Sequence, residues 1–128
     1  ANDFETTLNS EHVKLSSPNN LRIINHGILN EEELKKIYKK VEFLIFPSLK
    51  ESFGLPLVES INYGCKVLAP NLEYVNQVIT ASIYFNPLSV DSISLTIDKV
   101  IKNKDLKDSK IIVENKIDTF VDYIVNYV

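Results

Sequence analysis

The chain has 128 residues, of which 45% are hydrophobic and 24% are charged, which is ordinary for one folded domain. The formal net charge is -3 and Arg22 is the one arginine, so composition does not indicate a nucleic-acid or membrane-surface binder. The single cysteine, Cys65, excludes an internal disulfide, and no long apolar run predicts a membrane span. We expect one cytoplasmic domain over residues 1–128, and leave peripheral membrane association of an intact protein open.

The amino-terminal part predicts a strand followed by a helix. Residues 1–20 are polar and end in a Ser-Ser-Pro-Asn-Asn cluster, which predicts a short helix and then a loop. The segment Leu21–His26 is rich in large and β-branched apolar residues and stops at Gly27, as a strand does. Asn30 precedes a helical pattern with glutamates first and lysines last, so we expect it to cap that helix.

The middle of the chain alternates strand, helix and strand. Phe43–Phe46 is continuously apolar, which predicts a strand covered on both faces of a parallel sheet. Pro56 stands where the first turn of a helix tolerates proline, and Gly64 is placed to end that helix. Lys66–Pro70 then predicts the next strand.

The remaining pattern predicts more alternation. Our interpretation gives a helix over Tyr74–Ile79, a strand over Ile83–Phe85, a helix from Asp91 to about Lys102, and a last amphipathic helix over Ile111–Val128. Such alternation implies right-handed parallel β-α-β units. We therefore predict an α/β fold, with a Rossmann-like, doubly wound parallel sheet and helices on both faces. Sheets of this kind bind ligands at the carboxyl ends of their strands.

The segment from Pro47 to Glu59 holds the candidate chemistry, because it joins a buried strand to a helix start. Glu51 and Glu59 have seven residues between them and can face one crevice. Gly54 allows a ligand to approach the backbone, and the free N-H groups from Leu55 onward could bind an anion such as a diphosphate. Glu59, one turn into the helix, is placed for a ribose, and the loop carboxylate for sugar hydroxyls.

Structural explanations of the same residues stay open. A glutamate in the first turns of a helix is commonly a surface residue, and a loop glutamate beside a lysine is commonly solvated. Phe53 is more often a core side chain than a ligand contact, and His26 favours a surface or capping role. Cys65 is interpreted as a small buried hydrophobic residue. The sequence contains no Gly-rich phosphate loop, zinc-ligand spacing or Ser-His-Asp set.

At these residues the sequence resembles the group 1, or family 4, retaining glycosyltransferases, whose GT-B fold has two facing Rossmann-like domains. The resemblance rests on Phe46-Pro47-Ser48, on Glu51-Ser52-Phe53-Gly54-Leu55-Pro56, and on Glu59, Gly64 and Val67. It is extended by Gly27 before Glu32-Glu33-Leu34 and Tyr38, by Tyr84-Phe85-Asn86-Pro87, and by Phe120-Val121-Asp122-Tyr123-Ile124. It covers nearly the whole chain from Leu21.

The resemblance implies a role for each matching residue. Glu51 would be the catalytic residue that contacts the donor sugar, and Glu59 would hold the ribose. The other residues implied in donor binding are Ser52, Phe53, Gly54 and Leu55 at the sugar and diphosphate, and Gly27 near the base. The implied reaction is retaining glycosyl transfer from a nucleotide-diphosphate sugar to a saccharide or lipid-linked acceptor, in polysaccharide or glycoconjugate biosynthesis. No cofactor, no obligatory metal and no nucleic acid is implied.

The resemblance also implies a truncated chain. There is no methionine, and the family's diphosphate-binding Arg and Lys pair, like its acceptor domain, would precede Ala1. We therefore expect the latter part of a C-terminal donor-binding domain, inactive or nearly so when isolated. Unpaired edges between the strand at Leu21 and that at Phe43 would favour a homo-oligomer or a reorganised sheet. A non-catalytic nucleotide or nucleotide-sugar binding module, a sugar-nucleotide epimerase and a purely structural domain stay open as alternatives.

Overall fold

The computed structural model describes residues 13–14, 22–102, 105–112 and 125. It divides into two compact units, one that ends at Leu34 and one that begins at Lys35. The single domain predicted over residues 1–128 stays a prediction. Most of the polar segment 1–20, with its predicted short helix, and most of the predicted helix over Ile111–Val128 lie outside the described residues.

The first unit contains a short antiparallel pair of strands, β1 (Val13–Lys14) and β2 (Arg22–Ile23). The strand predicted over Leu21–His26 is thus present but shorter. The side-chain oxygen of Asn25 accepts a hydrogen bond from the N-H of Gly27, at 2.9 Å. This local bond competes with strand pairing and turns the chain just after β2.

Helix α1 (Glu31–Lys40) begins with reciprocal hydrogen bonds between Asn30 and Glu33. The Glu33 N-H donates to Asn30 Oδ1 at 2.8 Å, and the Asn30 N-H donates to Glu33 Oε2 at 3.0 Å. These bonds satisfy two N-H groups that the helix start would otherwise leave without partners. The cap predicted at Asn30 is confirmed.

The second unit contains the remaining strands and helices and both buried hydrophobic clusters. Its further elements, in chain order, are β3 (Phe43–Ile45), α2 (Leu55–Asn62), β4 (Lys66–Pro70), α3 (Glu73–Asn76), β5 (Ile79–Thr80), β6 (Ile83–Phe85), α4 (Val90–Lys102) and β7 (Lys110–Ile111). Strands β3, β4 and β6 form a parallel sheet in that order, with Leu44 opposite Val67 and Ala69 opposite Tyr84. The predicted parallel sheet is confirmed.

Helices pack on both faces of this sheet because successive side chains of the central strand point to opposite sides. Val67 and Ala69 of β4 belong to a buried cluster with Leu57 of α2. Leu68, between them, belongs to a second cluster with Val100 of α4. Leu57 has no exposed surface, and burial of such a side chain contributes about 1.5–3 kcal/mol. The fold is α/β and Rossmann-like.

The segment after β4 differs from its prediction. Helix α3 ends at Asn76, whereas the sequence predicted a helix from Tyr74 to Ile79. Ile79 instead pairs antiparallel with Ile111, as part of β5 and β7. Ile111 was predicted to begin a helix. The sequence interpretation was therefore wrong for both strands of this pair.

Among the described residues, no helix combines the length and hydrophobicity that crossing a bilayer requires.

Candidate functional site

The predicted site residues cluster where β3 leads into α2, at the carboxyl end of a parallel strand. We call residues 46–54 the Glu51 loop. Glu51, Ser52 and Phe53 are exposed, and Gly54, which ends the loop, is buried. Phe53 is 45% exposed, so the expectation that it fills the core is wrong. Its ring therefore lies where a ligand could contact it.

The carboxylate of Glu51 is held by a hydroxyl that sequence reasoning did not assign to the site. Ser48 Oγ donates to Glu51 Oε1 at 3.0 Å, and it also approaches the carbonyl oxygen of Lys50 at 3.2 Å. The carbonyl oxygen of Ser48 in turn accepts a hydrogen bond from the Tyr74 hydroxyl. Burial raises the pKa of Tyr74, the Ser48 side chain lowers it by a smaller amount, and the charge of Glu51 raises it. Glu51, Ser48 and Tyr74 therefore form one connected group.

The start of α2 offers fewer N-H groups than the sequence predicted. Gly54 takes the left-handed conformation, with φ 60 and ψ 36. The N-H of Leu57 is used in a 3.0 Å hydrogen bond to the Gly54 carbonyl, and Pro56 has no N-H to offer. In the described part of the chain, the N-H of Leu55 has no hydrogen-bond partner. Anion binding here would rest on Leu55 and the helix dipole.

Glu59 is exposed on α2, in surroundings different from those of Glu51. The pKa of Tyr38 is raised, first by burial and then by the negative charges of Glu59 and Cys65. Glu59 thus lies within electrostatic range of Tyr38, as Glu51 does of Tyr74. Within the described ranges, no hydrogen bond joins the two glutamates. Each carboxylate keeps oxygen atoms available to a ligand.

Gly27, the remaining predicted site residue, belongs to the first unit. It has a positive φ of 66, and its N-H is used in the turn with Asn25. Its predicted place near the base stays a prediction. Among the residues that the structure describes, no group of three or more His, Cys, Asp or Glu side chains is arranged to hold a metal ion.

An open pocket of about 520 Å³ lies at the same edge of the sheet. It is lined by Leu49, Asn71, Leu72, Tyr84, Phe85, Asn86, Pro87, Leu88 and Ser92. None of the predicted site residues lines it, although Leu49 belongs to the Glu51 loop. We place the candidate ligand site at the loop, because the pocket lining has no charged side chain.

Sequence reasoning assigned no site role to the polar residues of that pocket or to the partners of Glu51, although Asn86 and Ser48 belong to the motifs that carry the resemblance. Asn71 follows β4 directly and Asn86 follows β6 directly. The rule that ligands bind at the carboxyl ends of parallel strands could have identified both. No comparable local signal marks Tyr74, because its contact with Ser48 depends on helix α3 and the Glu51 loop, which are brought together by the neighbouring strands β3 and β4.

Comparison with known proteins identifies one matching family and several similar proteins. Residues 8–119 match the family described as glycosyl transferases group 1. The serotype-specific mannosyltransferase WbdA of Escherichia coli is 31% identical over 84 residues, which are 65% of this chain and 10% of WbdA. The O-antigen chain mannosyltransferase RfbU of Salmonella typhimurium is 28% identical over 86 residues, 66% of this chain and 24% of RfbU.

An uncharacterised glycosyltransferase of Methanocaldococcus jannaschii is 27% identical over 85 residues, 64% of this chain and 22% of that protein. The chain therefore spans between about a tenth and a quarter of the length of these relatives. No solved structure gives a significant match.

Proposed function

Since the chain belongs to the group 1 glycosyltransferases, we propose that the Glu51 loop and helix α2 bind a nucleotide-diphosphate sugar as the donor for retaining glycosyl transfer. One observation carries this proposal. Two exposed carboxylates, Glu51 and Glu59, stand before and after the same helix start, Gly54 and Leu55. Glu51 accepts hydrogen bonds from hydroxyls of the transferred sugar, and Glu59 accepts them from the ribose.

The diphosphate lies at the start of α2 in this proposal. Its oxygens accept a hydrogen bond from the N-H of Leu55 and face the positive end of the helix dipole. The approach is to Leu55, which is exposed, because Gly54 is buried against Leu57. As the sugar departs, negative charge builds on the diphosphate, and donors already aimed at it lower the barrier. A ligand that lacks the sugar uses the Leu55 and Glu59 contacts alone.

We propose a hexose, in particular mannose, as the transferred sugar, because two of the relatives are named mannosyltransferases. The acceptor is a saccharide or a lipid-linked saccharide of polysaccharide biosynthesis, in line with the O-antigen named for one relative. Acceptor binding falls to a further part of a longer protein, so we expect little or no turnover from residues 1–128. A non-catalytic nucleotide-binding module is the second candidate, favoured by the separate surroundings of Glu59.

Nitrogen-proton NMR titration of the chain tests these proposals. UDP, GDP, ADP and their sugar conjugates, including GDP-mannose, are added to the native chain and to Glu51→Gln, Glu59→Gln and Asp91→Asn variants. Asp91 is an exposed carboxylate at the start of α4, so its variant controls for loss of one negative charge. We expect saturable shifts at Gly54 and Leu55.

The variants separate the two candidate functions. Glu59→Gln should weaken the binding of every nucleotide and sugar conjugate. Glu51→Gln should weaken the binding of the sugar conjugates alone. Equal affinity for a nucleotide and its sugar conjugate in the native chain would favour the non-catalytic module. Absence of shifts at millimolar ligand in the native chain would refute donor binding by these residues.

A further inference from the structure

We propose that Ser48 and Tyr74 are positioning residues, which hold the carboxylate of Glu51 in the orientation that meets the donor sugar. The inference rests on the proposed function of Glu51 and extends it to two side chains for which the sequence predicts no site role. It is carried by hydrogen bonds and by packing.

Ser48 fixes one oxygen of the Glu51 carboxylate. A glutamate on an exposed loop samples many rotamers, and ordering it costs up to about 2 kcal/mol of side-chain entropy. The hydroxyl of Ser48 lies 3.0 Å from Glu51 Oε1 and 3.2 Å from the carbonyl oxygen of Lys50. One hydrogen is therefore shared between the carboxylate and the loop backbone. Oε2 and the remaining lone pairs of Oε1 stay available to sugar hydroxyls.

Tyr74 fixes Ser48 in turn. Its hydroxyl donates to the Ser48 carbonyl, which links the loop after β3 to the segment after the neighbouring strand β4. The Tyr74 ring packs against the buried cluster that contains Leu57 and Val75. Because this ring is held by the core, the hydrogen bond ties an exposed loop to the rigid part of the unit. A side chain so held is a suitable support for a binding group.

The phenol is also suited to this role by its protonation. Burial is the largest effect and raises the pKa of Tyr74; it outweighs the lowering by Ser48, and the charge of Glu51 raises the pKa further. The hydroxyl therefore stays protonated, and remains a donor, throughout the neutral range. Its hydrogen bond to the Ser48 carbonyl therefore persists throughout that range.

A purely structural role for these bonds predicts a different result. If Ser48 and Tyr74 only stabilise the loop, their removal should lower the affinity for nucleotides and for sugar conjugates by the same factor. If they position Glu51, their removal should reduce the preference for the sugar conjugate over the nucleotide. The ratio of the two affinities separates these roles.

The test uses the complete chain with GDP and GDP-mannose as probes. Tyr74→Phe removes only the hydroxyl, Ser48→Ala removes the link to Glu51, and Ser48→Thr keeps a hydroxyl at the same position. Tyr63→Phe is the matched control, because in the described part of the chain its hydroxyl has no hydrogen-bond partner while its ring stacks on Tyr38. Three-bond couplings about χ1 of Glu51 are measured without ligand, and both dissociation constants by titration.

We expect Tyr74→Phe and Ser48→Ala to weaken GDP-mannose by about 2- to 10-fold, with GDP affinity unchanged and the Glu51 couplings averaged. Ser48→Thr and Tyr63→Phe should behave as the native chain. In a Glu51→Gln background, Tyr74→Phe should have no further effect on the ratio. Unchanged couplings and an unchanged ratio in Tyr74→Phe would overturn the inference, as would an equal loss for both ligands.

Failure of the proposed function gives a separate signal. If the native chain binds GDP and GDP-mannose equally, the sugar role of Glu51 is wrong. The couplings about χ1 of Glu51, measured without ligand, then test by themselves whether Ser48 and Tyr74 position that side chain. The inference is supported if Glu51 has a single rotamer in the native chain and loses it in Tyr74→Phe. It is overturned if the rotamers of Glu51 are already averaged in the native chain.

Discussion

Leu57 packs against the bare face of Gly54, where an added Cβ would lie 3.1 Å from Leu57 Cδ1. Leu57 has no exposed surface, so it has little room to withdraw. The φ of Gly54 is also positive, at 60, which strains any other residue by about 1–2 kcal/mol. We predict that Gly54→Ala lowers the free energy of unfolding through both effects. Urea unfolding followed by circular dichroism measures the change.

Gly64 provides the control for this prediction, because it shares the positive φ without the crowding. Its φ is 90, and an added Cβ would meet nothing within 4 Å. Gly64→Ala should therefore lower the free energy of unfolding through backbone strain alone. Gly54→Ala should be the more destabilising by roughly 1 kcal/mol or more, as for overpacked core positions. Equal losses in the two variants would show that Leu57 accommodates the methyl group freely.

The two glutamates of the candidate site should act on different tyrosines. Burial is the largest cause of the raised pKa of both tyrosines; Glu51 also raises the pKa of Tyr74, which Ser48 lowers, and Glu59 also raises the pKa of Tyr38. Glu51→Gln should therefore lower the pKa of Tyr74 and leave that of Tyr38 unchanged, and Glu59→Gln should do the reverse. Titration of the tyrosine 13Cζ signals by NMR measures both values in each variant. A shift of both tyrosines in either variant would contradict the separate placement of the carboxylates.

Local sequence signals were sufficient for much of the parallel sheet. The strands over Lys66–Pro70 and Ile83–Phe85 have the bounds predicted, because apolar runs between turn residues mark buried strands. The helix with Pro56 in its first turn and Gly64 after its end was equally visible. In these places one short segment carries all the necessary information.

Long-range pairing could not be predicted in the same way. Ile79 continues a helical pattern locally, yet it pairs with Ile111 in an antiparallel ladder, and tertiary contacts override such a propensity. The candidate site shows the same limit. The identities of Glu51 and Glu59 were evident from the motif, whereas the link from Glu51 to Tyr74 depends on the adjacency of β3 and β4.

Cys65 should make stability sensitive to alkaline pH. Its thiol lies 3.3 Å from the Tyr38 carbonyl oxygen, and burial raises its pKa above the ordinary 9.0. Below that value the thiol is protonated in both states, and its contribution to stability is fully present. As pH rises from 9.0 through the folded pKa, the unfolded chain loses the proton first, so stability falls.

The substitution Cys65→Ser tests this pH dependence, because a hydroxyl keeps a donor but does not titrate in that range. We expect the urea midpoint of the native chain to fall as pH rises above 9.0. That of Cys65→Ser should fall only nearer 10.0, the ordinary pKa of tyrosine, where Tyr38 and Tyr74 begin to contribute. Parallel pH profiles for the two proteins would contradict a role for the thiol.

Ser109 connects the segment before β7 to the central strand, and its removal should destabilise the second unit. Its buried hydroxyl oxygen accepts a hydrogen bond from the Val67 N-H at 2.8 Å and lies 2.7 Å from the hydroxyl oxygen of Ser82. Ser109→Ala leaves the Val67 N-H without this partner, which costs about 1–3 kcal/mol for a buried donor.

The matched control is Ser82→Ala, which removes the other hydroxyl and keeps the bond between Val67 and Ser109. Urea unfolding should show the larger loss for Ser109→Ala, and hydrogen exchange at the Val67 amide should accelerate in that variant alone. Equal stability losses with unchanged Val67 exchange would mean that the strand finds another acceptor. Because β4 supplies side chains to both buried clusters, a loosened Val67 should also reduce protection at the neighbouring Leu68.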